Sequence, residues 1–445
     1  MPKKKTALTI EERLQQALVP AEEQPYEVPE NWVWVRLGAV CYASKEKSND
    51  FSNEIKYIGL EHLEKDKGIV GFSSADKVKS TKNAFQEGQI LYGRLRPYLN
   101  KHDIASFSGV CSTDILVFEA SVLVANVLVD KFFNLPFFIE YVVANSKGIN
   151  LPRVSEKTIL NTTFPLPPLS EQQRIVERIE ELFAKLDEAK ERLQEAADSF
   201  AVRKAAILHK AFTGELTKQW RRENGVSDES WEEKKLGEIC NIGSGGTPSR
   251  KHEEYYNGDI PWIKTGELTW NVITKSEEHI TEEAVLNSSA KMHCAGSVLV
   301  AMYGQGLTRG KAAILGINAT TNQAVCALQP LELLISKFLF YYFMKNYWQF
   351  REEAVGGNQP NYSAKMISNW IILLPTLPEQ HEIVRLIDDL LARERSAQQA
   401  TEQELASIDL MKKSILARAF RGELGTNKAS EASALELLKQ VLAEN

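Results

Sequence analysis

The sequence predicts a mixed α/β (α+β) fold with an internal two-fold repeat: two globular domains separated by two long, antiparallel coiled-coil helices. Three observations predict it. Residues 167–216 align without a gap with residues 375–424, and nineteen of the 50 pairs are identical. Apolar residues recur in both segments at alternating spacings of four and three, in the second only near its ends, which is typical of a coiled coil. The stretches between them contain short β-like runs separated by glycine-rich turns.

The repeat also predicts the domain organisation. Its offset of 208 extends upstream to Gly148 and Gly356, and an offset of 199 relates Trp32 to Trp231 near the domain starts. A chain of 445 residues has room for about three domains of ~150 residues. The predicted order is an N-terminal helical extension (1–28), a first variable domain (29–165), a first spacer helix (166–216), a second variable domain (217–374), a second spacer helix (375–424) and a C-terminal linker with a short helix (425–445).

Each predicted helix has start and stop signals. Thr9 and Glu12 form a capping-box pattern that opens a short helix in the extension. The first spacer helix follows Pro168 and continues without Gly or Pro to Phe212, after which Gly214 favours termination. Since a single exposed apolar seam of this length would be adhesive, we expect the two spacer helices to pair. They run antiparallel if the two-fold axis of the repeat crosses them.

The variable domains are predicted to mix strands with helices. Cys41 and Cys240 occupy matching positions in apolar surroundings, which predicts buried packing residues. The spacing of apolar residues predicts two helices, at 124–145 and 331–350. The β-like runs are 55–60, 89–92, 115–118, 260–264, 297–302 and 324–328.

Charge favours a nucleic-acid surface on both variable domains, although the net charge of the chain is −6. Residues 77–102 contain six basic residues and one acid, and no acid lies between Glu283 and Glu332. Basic side chains neutralise phosphates, while Arg, Asn and Gln make paired hydrogen bonds to base edges. The candidate DNA-binding residues are Lys77, Lys79, Arg94, Arg96, Tyr98, Lys101, Thr247, Ser249, Arg250, Lys251, Tyr303, Gln305, Arg309, Lys311, Asn322 and Gln323.

Motifs for catalysis, metal binding or membrane insertion are missing from the sequence. The glycine-rich stretch 304–311 lacks the spacing of a phosphate loop, and Ala312 stands where Ser or Thr would bind Mg²⁺. The five cysteines form no CxxC pair and the seven histidines form no HxxxH pair, so no metal site is expected. No apolar run approaches the ~20 residues that span a bilayer, and we expect a cytoplasmic protein with reduced thiols.

The sequence resembles the specificity subunits of type I DNA restriction–modification systems. Both copies of Pro-x-Leu-x-Glu-Gln-x-x-Ile-Val (167–176 and 375–384) carry the resemblance, and each is followed by Ala-Phe-x-Gly-Glu-Leu. A Trp-x-x-x-x-Leu-Gly pattern near the start of each domain supports it, as do Gly-Gly-Thr-Pro-Ser (245–249) and Ile-Pro-Trp-Ile (260–263) in the second. The first domain lacks Gly-Gly-Thr-Pro-Ser, so a role of this loop in the second domain cannot be assigned to an equivalent loop in the first.

The resemblance implies a non-catalytic subunit for phage defence that reads a split, asymmetric target in double-stranded DNA, one half with each variable domain. It implies that two modification (methyltransferase) subunits bind the spacer helices and that restriction/translocase subunits join them. S-adenosylmethionine, ATP and Mg²⁺ are then expected on those partners, with no cofactor on this chain. The corresponding spacer and subunit-interface candidates are Glu171, Gln172, Ile175, Ile179, Leu182, Phe212, Glu379, Gln380, Ile383, Ile387, Leu390 and Phe420.

Three alternatives remain open at this stage. A structural scaffold would carry two protein-binding modules on a coiled-coil spacer and would have no DNA affinity at any salt concentration. A fused recognition-and-cleavage enzyme is disfavoured because no catalytic set is present. A related two-domain methylation system without a translocating motor would look the same, since the motor is a separate polypeptide.

Overall fold

The computed structural model describes residues 9–49, 52–77, 80–304, 306–353 and 361–444. The chain divides into two compact units. Unit 1 contains Met1–Leu193 and Gln403–Asn445, and unit 2 contains Gln194–Glu402. Each unit therefore combines one variable domain with a part of each long helix, and the end of the chain belongs to the same unit as its beginning.

Unit 1 begins with helix α1 (Ile10–Ala17), which starts at the predicted capping box. Glu12 N donates to Thr9 Oγ1, and Thr9 N donates to the Glu12 carboxylate at 2.8 Å. The strands that follow are β1 (Val33–Arg36), β2 (Cys41–Ala43), β3 (Lys47–Ser48), β4 (Lys56–Ile58), β5 (Leu63–Glu64), β6 (Gly68–Ile69), β7 (Ser73–Ser74), β8 (Lys82–Phe85), β9 (Ile90–Gly93), β10 (His102–Ile104), β11 (Gly109–Cys111) and β12 (Ile115–Ala120). Helices α2 (Asn126–Phe132), α3 (Pro136–Ala144) and α4 (Glu156–Leu160) and strand β13 (Thr163–Leu166) complete the domain.

The strands of unit 1 form two main sheets and two short ladders. The sheets have the orders β10-β9-β12-β2 and β3-β8-β11-β4-β7, and the ladders are β1-β13 and β5-β6. The single helix predicted at 124–145 is wrong, since the structure contains two helices there, α2 and α3. Pro136 explains the break: it has no backbone N–H to donate and is favoured in the first turn of a helix, where it begins α3.

Helix α5 (Leu169–Phe212) continues from unit 1 into unit 2. The remaining elements are α6 (Lys218–Asn224), β14 (Glu232–Lys235), α7 (Leu236–Ile239), β15 (Cys240–Ser244), β16 (Tyr256–Ile263), β17 (Val272–Ile273), β18 (Glu278–Ile280), α8 (Glu282–Leu286), β19 (Val298–Ala301), β20 (Ala312–Leu315), β21 (Thr320–Thr321), β22 (Val325–Pro330), α9 (Ser336–Glu353), α10 (Ala364–Ser368), β23 (Ile371–Leu374), α11 (Leu377–Ala419) and α12 (Ala434–Glu444). Unit 2 has sheets ordered β15-β22-β19-β20-β17 and β18-β16-β21, with a β14-β23 ladder.

The two long helices pack against each other, and their direction is antiparallel as predicted. In unit 1, Lys412 contacts Asp187 at 2.6 Å and Lys190 contacts Asp409 at 3.4 Å, so the sequence number falls on α11 as it rises on α5. In unit 2, Arg203 on α5 contacts Glu394 on α11 at 2.8 Å. Such exposed pairs contribute little stability individually, about 0–1 kcal/mol. The buried apolar side chains at the helix ends contribute more.

A cluster of aromatic and aliphatic side chains forms the main core of each unit. In unit 1 the ends of the long helices join it through Ile175, Ile179 and Phe420, each at most 1% exposed. In unit 2, Ile383 and Ile387 join the corresponding core and are fully buried. Since the repeated segments occupy equivalent places, the repeat seen in the sequence is a repeat of packing.

Candidate nucleic-acid interface

The glycine-rich loop after β15 packs against the turn between β21 and β22 in unit 2. Gly246 N donates to Thr321 O at 2.9 Å and Gly245 N donates to Val325 O at 3.1 Å. A Cβ on either glycine would clash with neighbouring backbone, so the loop requires glycine there. Thr247 Oγ1 donates to Gln323 Oε1, which brings two candidate residues together.

Arg250 is held in one orientation by three neighbours that sequence reasoning missed. Its guanidinium lies 4.1 Å from the centre of the Tyr256 ring and 5.3 Å from that of Trp262. Arg250 Nη2 also donates to Glu278 Oε2 at 2.8 Å. Glu278 lies 28 residues away, at the start of β18, so no local pattern could have identified it. The arrangement fixes a half-exposed arginine on an aromatic platform.

Glu278 accepts hydrogen bonds from two basic side chains of this cluster. Lys264 Nζ donates to Glu278 Oε1 at 3.0 Å, whereas Arg250 donates to Oε2. Burial favours the neutral acid, but hydrogen bonds from Lys264 and Arg250 outweigh it and hold the pKa of Glu278 below its ordinary value. The carboxylate therefore stays charged at neutral pH and keeps both basic side chains in place.

A second loop, residues 302–311, begins beside the same turn. Met302 N donates to Ala324 O at 2.8 Å, and Tyr362 N donates to Met302 O at 3.0 Å. Arg351, at the end of α9, fastens the loop by donating to Arg309 O at 2.7 Å and to Gly306 O at 2.9 Å. Arg309 in turn donates to the Arg351 carbonyl at 3.2 Å. Sequence reasoning identified Arg309 but missed Arg351.

The candidate residues of unit 2 differ in exposure. Gln305 lies outside the described residues. The half-buried candidates are Tyr303, Arg309, Lys311 and Asn322. The exposed candidates are Thr247, Ser249, Arg250, Lys251 and Gln323, and these present their side chains to solvent around the 245–250 loop.

Unit 1 repeats the backbone frame of this site with other side chains. Arg94 N donates to Asp114 O at 2.9 Å, and Val154 N donates to Arg94 O at 3.0 Å. These bonds correspond to those of Met302 in unit 2, so Arg94 occupies the Met302 position. Arg153, missed from the sequence, pairs with Asp114 through Nε at 2.9 Å and Nη2 at 3.2 Å. The Arg153 guanidinium holds the pKa of the Asp114 carboxyl below its usual range.

The other unit 1 candidates lie around the turn after β9. Arg96 is exposed, has φ of 54°, and its N–H donates to Pro152 O at 2.7 Å. Tyr98 is 50% exposed, whereas Lys101 Nζ donates to Leu60 O at 3.0 Å. Lys79 and the side chain of Lys77 lie outside the described residues. Arg94, Arg96 and Tyr98 therefore lie in the same short segment after β9, with Arg96 and Tyr98 exposed.

The Glu-Gln pair that opens each spacer helix is buried and faces the variable domain of its own unit. Gln172 Oε1 accepts from Ala125 N at 3.1 Å, and Gln380 Oε1 accepts from Ile335 N at 2.9 Å. Glu171 and Glu379 are both fully buried. Of the apolar spacer candidates, Leu182 and Leu390 are half-buried, while the buried ones are Ile175, Ile179, Phe212, Ile383, Ile387 and Phe420.

The described part of the chain contains neither a metal-binding cluster nor a membrane-spanning helix. Among those residues, no group of three or more His, Cys, Asp or Glu side chains is arranged to hold a metal ion. No described helix is both long enough and apolar enough to cross a membrane.

Comparison with known proteins identifies relatives for most of the chain. The family model for the type I restriction modification DNA specificity domain matches residues 29–197 and 228–406. The EcoDI specificity subunit of Escherichia coli is 36% identical over 210 residues, which are 44% of this chain and 45% of that protein. The EcoBI specificity subunit of Escherichia coli is 26% identical over 339 residues, 70% of each chain.

Solved structures share the fold. The HsdS subunit from Thermoanaerobacter tengcongensis superimposes with a TM-score of 0.68 at 23% identity, covering 90% of this chain and 99% of that one. A chain of a type I R-M system superimposes with a TM-score of 0.70 at 23% identity, covering 90% and 100%. The two-unit architecture with paired long helices is therefore one that known proteins adopt.

Proposed function

This chain belongs to the type I restriction modification DNA specificity family, and we propose that it directs a restriction–modification complex to a split, asymmetric target in double-stranded DNA. Unit 1 reads one half of the target and unit 2 reads the other. The named relatives that match it are type I specificity subunits, although the EcoDI match spans under half of that protein's length.

One observation carries the proposal: the two units share a backbone frame and differ in the side chains placed on it. The bonds through Arg94 in unit 1 recur through Met302 in unit 2, and the Asp114 position of unit 1 is Ala324 in unit 2. Base recognition depends on the donors and acceptors that side chains present to a groove. One frame with two sets of side chains suits a protein that reads two unequal half-sites.

Exposed basic side chains support DNA as the ligand. Arg96 and Tyr98 in unit 1, and Arg250 and Lys251 in unit 2, lie beside these frames and are exposed. Phosphate contacts position a protein on the duplex, while arginine held in a fixed plane makes paired contacts to guanine. Arg250 has that fixed plane, because Glu278 and Tyr256 hold it.

We assign the chemistry to other chains. Two modification subunits bind this chain, and restriction/translocase subunits join the complex. Methyl transfer from S-adenosylmethionine and ATP- and Mg²⁺-dependent cleavage take place on those subunits, in the cytoplasm. This chain takes no catalytic part.

The test is to express the chain with its modification subunit in a host that lacks adenine methylation and to map methylated sites genome-wide. We expect one split motif, methylated only when the chain is present. Arg96→Ala should change one half of the motif and Arg250→Ala the other. Absence of any motif, together with no DNA binding by the complex at low salt, would favour the protein-binding scaffold instead.

A further inference from the structure

Two strands of unit 1 repeat the strand pairing of the unit 2 site with other side chains. In unit 1, Tyr57 pairs with Ser73 across β4 and β7. In unit 2, Trp262 pairs with Glu278 across β16 and β18. Both positions of the first pair are related to the second by the same offset of 205, so the residues between them align without a gap. Ser73 therefore occupies the Glu278 position.

The turn that follows the first strand contains the same hydrogen bond in both units. In unit 1, Gly59 N donates to His62 Nδ1 at 2.9 Å. In unit 2, Lys264 N donates to Glu267 Oε1 at 2.8 Å. These donors and acceptors are again related by the offset of 205, so His62 occupies the Glu267 position. The two units thus share a strand, a turn and a returning strand, and differ in the polar groups placed on them.

Ser73 and His62 form a neutral hydrogen-bonded pair in unit 1. Ser73 Oγ lies 3.1 Å from His62 Nε2, and both side chains are half-buried. Since His62 Nδ1 accepts from Gly59 N, the hydrogen of the neutral ring is on Nε2 and is donated to Ser73 Oγ. The serine hydroxyl therefore accepts from the imidazole, and its own hydrogen can be donated to a third group.

The Ser73 side chain lies on the face of the sheet that leads to the candidate residues of unit 1. Tyr57 is directly opposite Ser73, so the two side chains share a face. The Tyr57 hydroxyl hydrogen bonds to Ser112. Ser112 Oγ accepts from Asp114 N at 3.3 Å, and Asp114 O accepts from Arg94 N at 2.9 Å. A continuous series of contacts therefore connects this face to the Arg94 frame.

The next residues of the strand face the other way and are used within the domain. Successive side chains of a strand alternate between its two faces, so Phe72 and Ser74 lie opposite to Ser73. Lys56 Nζ lies 4.7 Å from the centre of the Phe72 ring and 4.2 Å from that of Phe107. Ser74 Oγ donates to Asn53 O at 3.3 Å. Ser74 is thus a matched control for Ser73, with the same side chain on the opposite face.

We propose that Ser73 is a specificity-determining residue of unit 1, whose hydroxyl donates to an acceptor atom on a base edge, and that His62 is the positioning residue that orients it. The inference rests on the proposed DNA recognition and adds the chemistry of each half. Unit 1 uses a neutral hydroxyl at the position where unit 2 uses Glu278 to hold Arg250. A serine hydroxyl pairs with several bases, and the bond from His62 restricts it to one direction.

The test titrates the complex of the full-length chain and its modification subunit with duplexes that carry the methylated motif, with each base pair of both half-sites replaced in turn. Ser73→Ala should lower discrimination about tenfold at one position of the half-site that unit 1 reads, and leave the other half-site unchanged. The salt dependence should stay as in the wild type, because a neutral hydrogen bond releases no counterion. Ser73→Thr, which keeps the hydroxyl, and Ser74→Ala should both retain wild-type discrimination. Circular dichroism and thermal unfolding verify that the variants fold.

His62→Asn tests the positioning role, because it keeps an acceptor for Gly59 N and removes the Nε2 donor to Ser73. It should lower discrimination at the same position, and the double variant with Ser73→Ala should lose no more than Ser73→Ala alone. If the wild type reads a split motif and Ser73→Ala reads it equally well, this inference is overturned and the proposed function stands. A loss in Ser73→Ala that is uniform for all sequences, with a shallower salt dependence, would also overturn it. A wild-type complex that reads no motif would overturn both.

Discussion

Trp32 Nε1 donates a 2.7 Å hydrogen bond to Glu171 Oε2, joining the start of the first domain to the start of helix α5 in unit 1. The repeat partners of these residues, Trp231 and Glu379, are not joined in this way. Among the described residues, Trp231 Nε1 and Glu379 Oε2 are buried without a hydrogen-bond partner. Glu379 Oε1 instead accepts from Thr217 Oγ1 and Arg221 Nη1, both at 2.7 Å. The repeated glutamate is therefore held by the neutral Trp32 in unit 1 and by the charged Arg221 in unit 2.

Glu171→Ala should destabilise unit 1 by about 2–3 kcal/mol or more, because it leaves several buried donors unpaired. Besides Trp32, Thr426 Oγ1 donates to Glu171 at 3.0 Å and Asn427 Nδ2 donates at 2.9 Å. Urea unfolding measures the change. Glu180→Ala, at an exposed position of the same helix, is the control and should change stability by less than about 0.5 kcal/mol. Equal effects of the two variants would contradict a structural role for Glu171.

Arg221→Ala should destabilise unit 2 by about 3–5 kcal/mol, because it leaves the fully buried Glu379 carboxylate without its cation. The double variant Arg221→Ala/Glu379→Gln should recover part of that loss, since it removes the unpaired charge. Urea unfolding of the wild type, both single variants and the double variant completes the cycle. A double variant that is less stable than Arg221→Ala would show that the charge of Glu379 is not the cause.

The elements that depend on local sequence were predicted best. Thr9 and Glu12 predict the start of α1, and the run without Gly or Pro that precedes Gly214 predicts α5 to its end at Phe212. Sheet order was not predicted, because it depends on contacts that are distant in sequence. Trp262 in β16, for example, pairs in parallel with Thr320 in β21. No local pattern identifies such partners.

In the candidate site, too, local sequence features were predicted and contacts between distant residues were not. Sequence reasoning identified Arg250, Arg309 and Gln323, the last two because they lie in the acid-free stretch between Glu283 and Glu332. It missed Glu278 and Arg351, which hold those arginines in place from other elements. An acid at the start of a short strand and an arginine near a helix end are common on protein surfaces. Their roles arise only when the fold brings them to the loops.

Unit 1 should lose stability in acid through Asp130. Asp130 Oδ1 lies 2.7 Å from His102 Nδ1, and both side chains are buried. Burial favours the neutral acid, but His102 and Lys131 outweigh it and hold the pKa of Asp130 below its ordinary value of 3.8. A depressed folded-state pKa stabilises the fold above the unfolded-state pKa, and this stability disappears as pH falls through the folded-state pKa.

The measurement for Asp130 is the free energy of unfolding from about pH 6 down to about pH 2. Asp130→Asn should flatten this profile below about pH 4, because the substituted side chain has no proton to gain. Asp76→Asn, at an exposed position, is the control and should leave the slope as in the wild type. A slope that is unchanged by Asp130→Asn would assign the acid sensitivity to other carboxylates.

Glu278→Gln should relax recognition of only the half-site that unit 2 reads. The substitution removes the charge that holds Arg250 at 2.8 Å and Lys264 at 3.0 Å, so the Arg250 guanidinium loses its fixed plane over Tyr256. Loss of one oriented base contact lowers discrimination by about 1–3 kcal/mol. Titration of the complex with duplexes mutated in one half-site at a time measures this discrimination. Arg96→Ala is the matched variant, which should affect only the other half-site.

A uniform loss of affinity for all sequences, with a shallower salt dependence, would mean that Arg250 contacts phosphate. Unchanged binding would place the 245–250 loop away from DNA.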